Sequence, residues 1–229
     1  PSTPIHLLVF EYLGGIRPEI GHLTDILSAE TGKKLSKRRD SVFAEQFLEE
    51  GYLPEALLNF LLLLGWAPKD NREVYTLSEM IRYFDIEGLQ EANPRFFKEK
   101  LDWFNGEYIR KMTDENLNSR FSALSPNFNS LEPNKKLEIT KLLKERIKKI
   151  GEIENMAKFF WERPEVDITL FGEDYKEHLV KAYEGIEKER DLMEVVKENN
   201  FKTGSFFMSL RIAITGMKFT PPINESIVI

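Results

Sequence analysis

Apolar residues return along most of this chain at helical spacing. Residues 42–50 (VFAEQFLEE) read as a helix capped by Ser41 and stopped by Gly51. The most apolar run, ALLNFLLLLGW at 56–66, is interrupted by Asn59 and bracketed by Pro54 as a start and Gly65 as a stop. It has about half the ~20 residues a membrane-spanning helix needs, so it is predicted to be a buried core helix, and no membrane association is expected. TLSE at 76–79 has the spacing of a capping box leading into MIRYF. Asn93 and Pro94 are predicted to open a helix with Phe97, Leu101 and Phe104 on one face, ended by Asn105-Gly106. Residues 121–134 (FSALSPNFNSLEPN), rich in Ser, Asn and Pro, read as a linker or long loop.

An amphipathic helix is predicted over 135–150, with Ile139, Leu142, Leu143, Ile147 and Ile150 at helical spacing. Others are expected around Met156 to Trp161, from Tyr175 to Lys188 and from Leu192 to Glu198. The stretch 205–216 (SFFMSLRIAITG) fits two readings. Its second half alternates like a strand, while Phe207, Leu210 and Ile214 fit a helix closed by Gly216. No strand–helix unit, internal repeat or low-complexity tract recurs, so the fold class is mostly α.

Composition narrows the chemistry. With 229 residues, 41% of them hydrophobic, the chain can bury a core as one large domain or two to three small ones. It has no cysteine, which excludes disulfides, thiolate metal sites and a cysteine nucleophile. Three scattered histidines, His6, His22 and His178, make a poor metal cluster, and no metal site is predicted. His6 reads as structural and His178 as a surface helix residue, and Trp66, Trp103 and Trp161 read as packing residues. A reducing, cytoplasmic setting is compatible with this.

The formal net charge is -6, yet two stretches are basic. Residues 135–149 carry Lys135, Lys136, Lys141, Lys144, Arg146, Lys148 and Lys149 against Glu138 and Glu145. A charged face is usually only a solvated face; in an acidic chain this excess favours contact with RNA phosphates. The second stretch is GKKLSKRRDS at 32–41. Gly32 allows close backbone approach, and Lys34 and Lys37 place ammonium groups three residues apart with Ser36 between them. Such a loop suits a polyphosphate, whose developing charge fixed cations stabilise. By itself the stretch reads equally as a solvated basic turn.

Its neighbours decide between these. KLSKR (34–38) is similar to the second signature of class I aminoacyl-tRNA synthetases, written KMSKS, in its glutamyl form. PSTPIH (1–6) resembles the segment upstream of that signature. GYLPEALLNFLLLLGWAP (51–68) and KLDWFNGEYIR (100–110) resemble two blocks downstream, and RIAITG (211–216) followed by TPP (220–222) resembles the anticodon-binding end. In this order the blocks resemble the bacterial-type glutamyl-tRNA synthetase family, C-terminal half. HLTDILSAET (22–31) departs from a usually more proline-containing approach to the loop, and Arg38-Arg39 extend the basic run.

The resemblance implies a stem-contact helical region with the signature loop over 1–112, then an α-helical anticodon-binding domain in two parts, 113–170 and 171–229. It implies a ligase that activates glutamate with ATP and Mg2+ and transfers it to tRNA for glutamate, with Lys37 on the triphosphate, Lys34 in support and Ser36 ordering the loop. Arg211, Thr220 and Pro221 match positions that read the anticodon; a helix-end arginine paired with a carboxylate is the alternative for Arg211. Lys141 is expected to attract phosphate. Nothing here resembles the His-Ile-Gly-His-like motif of the nucleotide-binding half: Gly21-His22 has no strand–helix context. Residues 1–229 alone are therefore expected to be inactive and to hold no cofactor. A monomer is expected. An RNA-binding module without catalysis, a protein-interaction scaffold, and an enzyme that also charges tRNA for glutamine remain the alternatives.

Overall fold

A computed structural model of the chain describes residues 2–36 and 43–229. It opens with α1 (Thr3–Tyr12), followed by a hairpin whose first arm is β1 (Leu27–Ser28). Three helices come next: α2 (Ala44–Glu49), α3 (Pro54–Gly65) and α4 (Leu77–Tyr83). β2 (Arg95–Phe96) pairs parallel with β1, Leu27 opposite Arg95 and Ser28 opposite Phe96. The remainder is helical: α5 (Lys98–Lys111), α6 (Asp114–Leu124), α7 (Pro126–Asn129), α8 (Pro133–Lys144), α9 (Ile153–Met156), α10 (Tyr175–Glu187), α11 (Leu192–Glu198), α12 (Thr203–Thr215) and α13 (Ile223–Val228), with 3-10 turns at Ile150–Glu152, Lys158–Phe160 and Ile168–Leu170. The chain is mostly α, as the periodicity predicts.

Three apolar clusters organise it. Phe47, Tyr52, Leu57, Phe60, Leu101 and Phe104 join α2, α3 and α5. A larger one joins Leu53, Ala56 and Ile109 to Leu117, Phe121, Phe128, Ile139, Leu143, Ile147, Ile150, Ile153 and Ala157. The third, from Ala182, Val195, Val196, Phe206, Leu210 and Ile223, closes α10 to α13 on one another. The Leu-rich helix α3 thus serves two cores with different residues, and its exposed Leu58 and Leu61 belong to neither.

Boundaries hold where local chemistry sets them. α3 runs from Pro54 to Gly65, the Thr76–Glu79 capping box closes in both directions, and 205–216 resolves as α12, ending in Gly216 at φ 72°. Other expectations are corrected. Residues 121–134 are no linker: α6 continues to Leu124, Ser125 caps α7 through the Phe128 amide, and Phe121 and Phe128 are fully buried edge to face. Arg95 and Phe96 form β2 rather than a first helical turn, so α5 starts at Lys98; it runs through Asn105-Gly106 to Lys111. α8 stops at Lys144, and Ile147 and Ile150 reach the core from a turn. Short 3-10 turns replace most of the helix expected at 156–161. α2 starts at Ala44 with Phe43 at its N-cap position, and Ser41 lies outside the described residues. His178 is buried between Phe201 and Phe206 instead of lying on the surface, and His6 is exposed.

Candidate nucleic-acid interface

The signature stretch is the second arm of the hairpin. Gly32 (φ 65°) turns the chain, its amide donating to the Ser28 carbonyl at 2.9 Å, and Leu35 N–H reaches Ile26 O at 2.9 Å. Lys34 pairs opposite Leu27, and its Nζ lies 2.6 Å from the Asp25 carboxylate with both side chains largely in solvent. The Asp25 amide is tied to Asn93 Oδ1 (3.0 Å), which fixes the hairpin to the approach of β2. Beneath it, Asp25, Lys34, Phe47, Leu57 and Phe96 are among the walls of a cavity of about 340 Å³. Ser36 is half-buried; Lys37 lies outside the described residues.

The basic face of 135–149 divides once its partners are known. Lys144 forms a half-buried ion pair with Asp114 (2.8 Å), Lys149 sits over the Tyr52 ring 3.5 Å from Glu50, and Lys135 lies over Phe160. Lys136 reaches Asn129. These hold the helix to its surroundings. Lys141, Arg146 and Lys148 are exposed and have no ion pair among the described residues, so they are the cations left to meet an external anion.

At the other end, Gly216 finishes α12 against the 164–165 segment: a Cβ there would stand 2.7 Å from the Glu165 carbonyl oxygen and 3.2 Å from Pro164 Cβ. The Thr215 hydroxyl donates to Arg211 O (2.8 Å) and accepts from Met217 N–H (3.1 Å), which sets how the chain leaves the helix. Thr220 Oγ1 lies 3.1 Å from Pro221 O, Pro221 is buried, and Pro222 leads into α13. Arg211 is half-buried; its Nε is enclosed and has no hydrogen-bond partner among the described residues, so no carboxylate pairs with it there. The same holds for Trp161 Nε1. Arg211, Thr220 and Pro221 thus sit at the α12–α13 corner, whereas Lys141 lies on α8, which packs on α6.

Two buried amides escaped the sequence reading. Asn59, read as an interruption, accepts from the Tyr75 amide (2.8 Å), lies 2.8 Å from the Tyr108 hydroxyl and donates to Glu73 O (2.9 Å). Burial pushes the Tyr108 hydroxyl up to about 12, with the charges of Glu55 and Glu79 adding to it. Asn105, read as a helix end, accepts from Leu53 N–H at 2.8 Å and donates to the carbonyls of Gly51 and Lys148. The available signal was the period: Asn59 shares a helical face with Ala56 and Phe60, where a polar residue is buried only if its hydrogen bonds are met.

Residues 79–229 match the family model of the anticodon binding domain, and residues 1–103 that of tRNA synthetases class I (E and Q), catalytic domain. The chain belongs to the class I tRNA synthetases of that glutamate and glutamine type. It is 36% identical to a glutamate–tRNA ligase of Borreliella afzelii and 31% identical to that of Treponema denticola, over 99% of its own length and 51% and 53% of theirs. The crystal structure of a glutamate tRNA ligase from Elizabethkingia meningosepticum in complex with its amino acid superposes with a TM-score of 0.75 at 30% identity, over 98% of this chain and 51% of that one. The chain spans about half the length of the curated relatives it matches. Among the described residues no helix is long and apolar enough to cross a membrane.

Proposed function

We propose that this chain is the tRNA-gripping part of a ligase that activates glutamate with ATP and Mg2+ and transfers it to tRNA for glutamate, working as a monomer in the cytoplasm. The observation that carries this is the likeness to glutamate–tRNA ligases over 98–99% of the chain, tiled by a catalytic and an anticodon-binding family model. In this reading 1–112 holds the signature loop and contacts the stem, and 113–170 and 171–229 form the anticodon-binding parts.

The hairpin suits a triphosphate. An exposed ion pair such as Lys34–Asp25 is worth at most about 1 kcal/mol, so phosphate oxygens can take the place of Asp25 on Lys34 without loss of fold. ATP supplies the leaving pyrophosphate; Lys34 and Lys37 would hold its charge and Ser36 would order the loop. The described residues contain no cluster of metal-binding side chains, which fits a Mg2+ held mainly through substrate phosphates.

At the α12–α13 corner the buried Pro221 and the Thr220 hydroxyl act through the backbone they fix. Arg211 offers a guanidinium whose enclosed Nε has no acceptor within the described chain, and single-stranded loop bases are what such a donor can read. Lys141, in solvent, would add attraction to phosphate alone. Affinities for tRNA transcripts differing only in the anticodon test this. Arg211→Ala should weaken the cognate tRNA by about 1–3 kcal/mol and the others much less. Lys141→Ala should weaken all alike and lower the salt slope by ~1. Uniform losses from Arg211→Ala would remove it from the reading role.

A further inference from the structure

The two parts of the chain meet at a polar joint. The turn between α2 and α3 runs through Gly51, whose φ is 88°; a Cβ on it would lie 3.2 Å from the Gly151 amide nitrogen. The Ile150 amide points at Gly51 O across this seam (3.4 Å). Asn105 of α5 sits inside it, fully buried, with its Oδ1 on Leu53 N–H and its Nδ2 between Gly51 O and Lys148 O. One amide therefore ties the turn that follows α2 to the turn that follows α8. At the rim Glu50 pairs with Lys98 (2.8 Å) and Lys149 (3.5 Å).

The place of this amide gives it its meaning. Gly51 and Leu53 lie only in the stretch matching the catalytic domain and Lys148 only in the stretch matching the anticodon domain, while Asn105 stands just past the end of the first match. α2 begins soon after the signature stretch, and Lys141, Arg146 and Lys148, the free cations, flank the other side. An apolar contact could bring the two turns together with some freedom to slide. A buried amide whose donors and acceptor are all used admits one register, because any shift orphans a buried group.

We propose that Asn105 is a positioning residue that fixes the angle between the stem-contacting and anticodon-contacting parts, so that one tRNA engages both at once. This rests on the tRNA reading above. Two linked contacts bind far more tightly than either alone, but only if geometry lets both form together, the gain being on the order of 10²–10⁴-fold. Asn105 would then govern the gain and leave each separate contact untouched.

The test is a set of affinities of residues 1–229 for whole tRNA for glutamate, its isolated anticodon stem–loop and its isolated acceptor-arm hairpin, with wild type, Asn105→Asp and Glu50→Gln. Asn105→Asp keeps the acceptor for Leu53 N–H and loses the donor to Gly51 O and Lys148 O. We expect it to bind both hairpins as wild type does and whole tRNA at least ~10-fold more weakly. Glu50→Gln, at the rim, should give a smaller loss of the same kind. Equal affinity of wild type and Asn105→Asp for whole tRNA, or equal proportional losses for all three RNAs, would overturn the proposal. Should Asn105→Asp fail to bind the stem–loop because it does not fold, Glu50→Gln decides alone: an unchanged ratio of whole-tRNA to stem–loop affinity overturns it. If wild type binds none of the RNAs, the functional reading fails instead.

Discussion

α1 and α5 reverse the usual association of apolar with buried. α1 is mainly apolar and buries no residue: Ile5, Leu8 and Val9 are about half exposed, and Tyr12 at its end is 88% exposed. α5 is polar over most of its surface and buries Leu101, Phe104, Asn105, Gly106 and Ile109. Composition is nearly the reverse of burial because burial needs a partner surface. α5 packs along α3 and touches two apolar clusters, whereas α1 packs on none of the three. Stability should therefore concentrate in the helices that share cores, and the opening segment should be nearly silent to mutation.

The largest contrast comes from a pair of truncations. Phe121→Ala in the central cluster, where the ring meets Phe128 at 5.6 Å, should cost about 3–5 kcal/mol in urea unfolding. Ile16→Ala, at a residue 93% exposed, should stay within about 0.5 kcal/mol. Similar losses for the two would break the comparison. Next comes Asn59→Ala. It orphans the buried Tyr75 amide and should cost about 1–3 kcal/mol, although it removes a polar side chain from an apolar run. A neutral result would show that Asn59 is the interruption its sequence context suggests.

That residue shows what was legible and what was not. α3, α11 and the Thr76 cap could be read to the residue because Pro, Gly, Asp and Thr act on their nearest neighbours. The signature residues were legible for the same reason: Gly32, Lys34 and Ser36 are adjacent in the chain. Asn105-Gly106 and Ser125-Pro126 carry equally strong local signals for a break, and they were overruled from a distance. Asn105 is satisfied by Leu53, 52 residues away, and Phe128 fills a core built largely from α6 and α8. No period within one segment reports such partners. His178 is the same case, since Ser209 and Phe206, which bury it, come from α12.

Smaller effects sharpen the picture at the surface. The Arg72 guanidinium bridges Asp70 (2.6 Å) and Glu79 (2.8 Å). Hydrogen bonds from Tyr75, then Arg72, hold the Asp70 carboxyl near about 2; those from Arg72, then Thr76, do the same for Glu79. Both folded values lie below the unfolded ones. Their contribution is thus complete above about pH 5 and is lost as pH falls toward about 2. Arg72→Met should flatten stability against pH in that window, chiefly through Glu79, in acid titrations of urea midpoints. An unchanged slope would place the acid sensitivity elsewhere. Smallest of all, Lys34→Ala should alter stability by less than about 1 kcal/mol, since its bond to Asp25 is exposed. A larger loss would mean that the hairpin is bound into the body as tightly as α5.

Asn105 also bears on how the protein ages. An asparagine followed by glycine is the sequence most prone to cyclise through the next backbone nitrogen and open again as aspartate, but the reaction needs a loose backbone. Inside α5 both residues are buried and held in helical geometry. The folded molecule therefore shields its most labile bond, and each excursion to the unfolded state exposes it. Stored warm, the protein should deamidate at Asn105 only as fast as it opens, so peptide mapping of this site would serve as a clock of unfolding. The aged product is aspartate at the joint, and the damage accumulates where the two halves are set against each other.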